Sequence, residues 1–354
     1  MKTFKCGNCG GEIFFVNDRC VRCGNWVGYS PDIKDMRSFS VPANEEATLV
    51  LDDREYRLCA NWRQHQVCNW LVLVADNHAF CEACRLNEVI PDLSVEGNRG
   101  RWHKMELAKR RCFYTLQRLS LPLTSADGRG LRFRFLAESP NEPLVLTGHN
   151  GGLITLNISE ADEDKREQRR IRLREPYRTL IGHFRHELGH HYWDRLIGNT
   201  SYLPMFRKLF GDETVDYGAA LKTYYEQGPN PEVVKATVTA YAAAHPWEDW
   251  AETWAHYMHI TDMMETAASY GVTLQTPKYR ELMNPLPPRN KGAPASEEFD
   301  AMLRQWIPLT CAFNSINRGM GLQDLYPFVL TSAVCDKLRF IHEVVNKRNA
   351  LEGA

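Results

Sequence analysis

The chain has 354 residues, of which 44% are hydrophobic and 25% charged, the balance of a soluble globular protein with room for one large or two modest domains. Its 43 Lys and Arg against 44 Asp and Glu leave a net charge of −1, so nothing global argues for a nucleic-acid or membrane partner. No segment approaches the about 18 unbroken apolar residues of a membrane span, and the N-terminus runs straight into cysteines, so a cytoplasmic protein in a reducing compartment is expected.

Eight of the 11 cysteines fall early, in metal-binding pairs rather than a disulfide framework. Cys6-x2-Cys9 and Cys20-x2-Cys23 form two knuckles, each followed by a glycine, Gly10 and Gly24, that lets backbone amides turn back towards the thiolates. They predict a structural zinc ribbon over residues 1–28, with a short hairpin in Glu12–Val16 between the knuckles. Such a small head cannot bury enough apolar surface to fold alone, so zinc would supply much of its folding energy. Residues 29–48, with Pro31 and Pro42, read as a linker. Cys59, Cys68, Cys81 and Cys84 predict a second structural zinc in a module over residues 49–96, where His65 or His78 could replace one thiolate. Cys112, Cys311 and Cys335 read as core residues. Arg99, Arg101, Lys104, Lys109, Arg110, Arg111 and Arg118 read as a solvated helix face.

Residues 97–354 are expected to form the catalytic domain. Apolar spacing predicts a helix over Asn98–Leu121, ahead of Pro122. Two alternating runs around Asn150-Gly151-Gly152 predict a hairpin, whose second strand, Leu153–Ile158, is either a platform for an extended substrate or an ordinary sheet strand. A helix is predicted over Pro176–Ile197, with Pro176 in its first turn and Gly198-Asn199 as its stop. It carries His186-Glu187-Leu188-Gly189-His190. From Ser296 the chain reads as mainly helical, with a turn at Leu325–Phe328.

Histidines at i and i+4 project from one helix face and can reach one zinc ion, while Glu187 can serve as general base to the attacking water. A catalytic zinc needs a third protein ligand. A third histidine six residues after His190 is excluded because Leu196 stands there. A second predicted helix, starting at Pro246, puts Glu248 and Glu252 one turn apart on one face and offers a carboxylate instead. His256 and His259 on the same helix are competing ligands. His191 points about 100° away from His190 and reads as packing or substrate contact.

The ribbon cysteines, Cys68-Asn69-Trp70-Leu71, Pro91-Asp92-Leu93-Ser94, Gly182-His183-Phe184-Arg185 and His245-Pro246-Trp247-Glu248-Asp249-Trp250-Ala251-Glu252 resemble the bacterial family of zinc-binding metallopeptidases with zinc-ribbon heads. The resemblance covers most of the chain. The two catalytic helices are also similar to those of the gluzincin peptidases, anthrax lethal factor among them. That likeness implies Glu248 as third ligand, Glu252 as the carboxylate orienting a histidine, and Tyr241 as the tyrosine that stabilises the transition state. Tyr257, Tyr326 or His245 could do the same, and Asp194 is another outer carboxylate. The expected fold is α+β: a zincin-like, mainly helical catalytic domain behind zinc-ribbon modules.

The expected function is hydrolysis of a protein or peptide substrate, with one catalytic and one or two structural Zn2+, and with the ribbons recruiting a protein partner. The alternative is a zinc-ribbon regulator of protein or nucleic acid on an inactive zincin scaffold. Nucleic acid is not favoured and no membrane partner is expected.

Overall fold

The computed structural model describes residues 1–40, 48–123, 130–138, 145, 147–173, 175–274, 289–294 and 296–352. The chain divides into two compact units, Met1–Phe184 and Arg185–Ala354, and mixes strands with helices in an α+β arrangement.

In the first unit, β1 (Phe4–Lys5) pairs antiparallel with β2 (Glu12–Ile13), and β3 (Trp26–Ser30) with β4 (Asp35–Phe39). The hairpin expected between the two knuckles is therefore replaced by one that spans the first knuckle. Its reason is local: Cys6 and Gly11 close the turn through a 2.8 Å backbone bond, and Gly10 takes a φ of 68°. The expected linker also carries structure, since β4 lies inside it and Phe39 packs edge-on against Trp62. Its residues 41–47 lie outside the described ones.

β5 (Leu49–Leu51), β6 (Arg54–Leu58) and β7 (Leu71–Leu73) form a three-stranded antiparallel sheet, with α1 (Ala60–His65) between β6 and β7 in the chain. A mixed sheet follows, in the order β10 (Gly148–Asn150), β11 (Leu153–Asn157), β9 (Arg132–Leu136), β8 (Asn87–Val89). The expected hairpin forms between β10 and β11: Asn150 pairs with Leu153 across Gly151 and Gly152, both at positive φ, as a tight two-residue turn requires. Leu144 and Leu146 of its first run lie outside the described residues. β11 is flanked by β10 and β9, so its backbone is paired on both sides and it is an interior strand, not the free platform considered above.

α2 (Asn98–Arg118) matches its expected range closely, yet it belongs with the cysteine-rich head. Its Tyr114 joins Phe4, Phe15 and Tyr29 in one aromatic cluster with ring centroids 5.5–6.4 Å from Tyr114. The compact units divide later, after Phe184, within the stretch expected as the catalytic domain. Nor is α2 a solvated charged face throughout: Lys109 and Arg110 are buried, with the Lys109 ammonium 3.0 Å from buried Glu106. α3 (Glu163–Leu173) follows, and Phe184 packs on Phe133 and Phe135 of β9.

α4 (Leu180–Leu196) begins in the first unit and continues into the second. It starts four residues later than Pro176 suggests because Thr179 caps it, accepting a bond from Gly182 N at 3.1 Å through its hydroxyl. The second unit continues with α5 (Leu203–Phe210), α6 (Tyr217–Gln227), α7 (Pro231–Val234), a 3-10 turn at Tyr241–Ala244, α8 (Pro246–Ser269), α9 (Glu297–Gly319) and α10 (Ser332–Glu352). Its core forms around Trp250 and Trp254, one turn apart on α8. Tyr192 stacks on Trp254 at 4.9 Å, while Phe206, Phe210 and Phe340 surround Trp250. No helix among the described residues is long and apolar enough to cross a membrane.

Candidate metal centres

Both cysteine quartets converge. Cys6, Cys9, Cys20 and Cys23 form one set of potential ligands and Cys59, Cys68, Cys81 and Cys84 another, each with its sulfurs within 4.8 Å of one another. Cys6–Cys23, Cys9–Cys20 and Cys68–Cys81 stand at 3.7 Å between sulfurs. That is far beyond a disulfide bond and matches the about 3.8 Å between two thiolates that share a tetrahedral zinc at about 2.3 Å. The alternative ligands fall away, since His78 is exposed and the His65 ring packs on Trp102 at 5.6 Å. Of the three remaining cysteines, Cys112 and Cys335 are buried as expected and Cys311 is exposed.

The second quartet sits against α2. Arg110 donates to Val67 O at 2.7 Å beside the knuckle, and Glu106 lies 3.8 Å from the Cys84 sulfur. Four thiolates around one zinc retain two negative charges, which buried Arg110 faces with a positive one, while Lys109 pairs with Glu106. A run read from the sequence as solvated charge is partly the counter-charge of a buried site.

The third cluster lies in the second unit and combines His186, His190 and Glu248. His186 Nε2 is 3.1 Å from His190 Nε2 and 3.0 Å from Glu248 Oε2, with 3.5 Å between His190 Nε2 and Glu248 Oε2. Ligands at about 2.0–2.1 Å on a tetrahedral zinc stand about 3.3–3.4 Å apart, so the three atoms fit one ion. Glu248 Oε2 is buried with no hydrogen-bond donor among the described residues, as a metal ligand would be.

The charge of the site argues the same way. Glu187, Glu248 and Glu252 bring three carboxylates to two imidazoles. Burial works against a charge on His186, but Glu248 and Glu252 hold its proton affinity well above that of an ordinary imidazole. A divalent cation would relieve this excess of negative charge. Burial pushes the Glu187 carboxyl up to about 7, against the nearby His186 and with the Glu248 and Glu252 carboxylates.

Two helices bring these groups together. The i, i+4 spacing on α4 aligns His186 with His190, and α8 presents Glu248 in its first turn. His245 caps α8: its Nδ1 accepts from Trp247 N at 3.1 Å, and its Nε2 donates to Val215 O at 3.0 Å. The helices meet at Gly189, where a Cβ would lie 2.9 Å from Ala251 Cα, and Trp250 Nε1 donates to Gly189 O at 2.9 Å. Only a residue without a side chain permits that approach.

Outside the ligand atoms, Glu252 Oε1 accepts from His186 Nδ1 at 2.7 Å, leaving Nε2 as the metal-facing nitrogen. Thr239 Oγ1 donates to the other oxygen, Oε2, at 2.7 Å. Tyr217 donates to Glu248 Oε1 at 2.6 Å, and the Trp247 ring lies 3.9 Å from that of His190. Thr239, Tyr217 and Trp247 were not identified from the sequence; Trp247 stands inside a quoted motif, but Thr239 and Tyr217 carry no spacing signal.

Tyr241 lies on the 3-10 turn with its ring 6.0 Å from that of His186. The groups considered in its place are engaged elsewhere: His245 as the cap, Tyr257 with His342 at 3.2 Å, and Tyr326 with His256 at 2.7 Å. The competing ligands are engaged too, His256 with Tyr326 and His259 with Arg185. His191 is buried beside the Tyr192 ring. Asp194 follows His190 by one turn, and burial pushes its carboxyl up to about 6.

Comparison with known proteins adds an independent line. A family model described as "putative zinc-binding metallo-peptidase" matches residues 98–344, and a zinc-ribbon domain model matches residues 3–95, a range holding both cysteine quartets. Uncharacterized proteins of Mycobacterium bovis and Mycobacterium tuberculosis are 40% identical over 352 residues, covering 98% of this chain and 96% of each relative. No solved structure matches the chain.

Proposed function

Since the chain belongs to the zinc-binding metallo-peptidase family, we propose that it hydrolyses peptide bonds in a zincin-like, gluzincin-type site behind two structural zinc sites. The observation that carries this reading is the meeting of His186 Nε2, His190 Nε2 and Glu248 Oε2 with all three distances at or below 3.5 Å. In it, His186, His190 and Glu248 hold the catalytic zinc. Bound there, zinc supplies Lewis acidity that lowers the pKa of water to about 7 and polarises the scissile carbonyl.

The chain's own groups carry the rest of the reaction. Glu187 takes the proton of the attacking water and passes it to the leaving amine. Glu252 holds His186 in the tautomer that frees Nε2, and Asp194 is an outer carboxylate one turn beyond His190. Tyr241 donates a hydrogen bond to the carbonyl oxygen as negative charge gathers on it. Burial and then the Glu248 carboxylate keep the Tyr241 hydroxyl far above the ordinary range, hence protonated and able to donate.

The substrate class is a protein or peptide, and the ribbons recruit a protein partner. Eight cysteines spaced for zinc rather than for disulfides support a cytoplasmic, reducing setting. Glu187→Gln tests the chemistry: it keeps the carbonyl oxygen and volume of the side chain but cannot act as a base. Zinc content should equal wild type while peptide cleavage falls below detection, and retained cleavage would overturn the mechanism.

A further inference from the structure

We infer that Tyr217 makes Glu248 a one-oxygen metal ligand by holding the second carboxylate oxygen away; this rests on the zinc site proposed above. The two oxygens of Glu248 have different surroundings. Oε2 faces His186 Nε2 at 3.0 Å and is buried with no hydrogen-bond donor among the described residues, whereas Oε1 accepts the Tyr217 hydroxyl at 2.6 Å. A carboxylate with both oxygens free can turn and chelate zinc through the pair, filling the position that a catalytic site keeps open for water. A phenol bonded to one oxygen opposes that turn.

The phenol is well placed for this task. Its ring stands edge-on to His245 at 5.3 Å and to Trp247 at 5.6 Å, the residues immediately before Glu248 on the cap and first turns of α8. Trp247 in turn packs on His190. These contacts fix the ring without help from the hydroxyl, so removing the hydroxyl alone isolates the hydrogen bond.

The helix that carries Tyr217 points to the same role. α6 buries none of its residues, so it adds nothing to the core of the unit. Tyr217 and Tyr224, seven residues on and therefore on the same face, both reach the site, and the Tyr224 ring lies 5.7 Å from that of Tyr241. Both contacts end on groups of the metal site. Tyr217 is a positioning residue acting through Glu248, distinct from Tyr241, whose hydroxyl has no hydrogen-bond partner among the described residues and remains available to substrate.

The test uses the full-length protein as wild type, Tyr217→Phe, Tyr224→Leu and His186→Ala. Zinc affinity of the third site is read by chelator competition, and its coordination by the visible spectrum of cobalt(II) reloaded after mild chelation, with His186→Ala as the blank. Tyr217→Phe should hold the third metal about 10–100-fold more weakly. Its cobalt bands should weaken as the coordination number rises, with two cysteine-bound zinc ions retained. Tyr224→Leu loosens α6 without touching Glu248 and should leave the spectrum as in wild type. Unchanged affinity and spectrum in Tyr217→Phe would overturn the inference, as would the same spectral loss in Tyr224→Leu. A wild-type protein with no metal beyond that of His186→Ala is a separate result, and removes the zinc site itself.

Discussion

Thr239 donates its hydroxyl to Glu252 Oε2 and accepts from Ala242 N at 3.1 Å, so one small side chain ties the 3-10 turn to the carboxylate that orients His186. Thr239→Val keeps the shape and deletes both bonds. Zinc affinity at the third site should drop about 10-fold or more, the usual cost of losing a group that supports a ligand; chelator competition measures it, and wild-type affinity would contradict the chain of contacts. At this scale the sequence was informative where spacing carries meaning. His186, Glu187 and His190 declare themselves because a helix turns once in about 3.6 residues. Glu248 and Glu252 were legible once a second helix start was recognised at Pro246. Thr239 and Tyr217 were not, because they reach the site from a turn and from an exposed helix, through contacts that no periodicity encodes.

Gly189 looks like a filler position between Glu187 and His190, yet it sets the distance between α4 and α8. A methyl group there would meet Ala251 Cα at 2.9 Å and its carbonyl oxygen at 3.1 Å, atoms of a helix backbone that cannot swing aside. Gly189→Ala should therefore destabilise the protein by about 1–3 kcal/mol, as overpacking does, and move Glu248 away from the histidines. Thermal unfolding and zinc content would both register it; wild-type values for both would show that the helices can part without cost. Element boundaries were legible to differing degrees. Pro246 opened α8 as expected, whereas Pro176 did not open α4, because Thr179 offered a hydroxyl cap and proline offers none. The stretch read as a linker holds β4, whose Met36 and Phe39 are buried, a pattern too short to stand out in sequence.

Across the whole chain, the two quartets and the His–Glu cluster predict three zinc ions per molecule, falling to two in His186→Ala. Metal analysis decides this, and a count of one or none would overturn the layout. Loss of Cys84 should have a wider effect than loss of His186. The second quartet is entirely buried with Arg110 and Glu106 beside it, so emptying it strands thiols and charges together. That coupling was not legible beforehand, since a row of basic residues on a helix reads as solvent-facing until the neighbouring cysteines are known to sit beneath it.

The division of the chain between Phe184 and Arg185 falls inside α4, one residue before the first histidine of the metal cluster. Protein parts that are exchanged between genes usually meet at loops, where a splice leaves both sides whole. A splice at this point would cut through a ladder of helical hydrogen bonds and separate His186 from the turn that Thr179 caps. The two family matches part instead at residues 96–97, in the turn just before α2, so an exchange of the ribbon head there would leave the helices of the metal site whole.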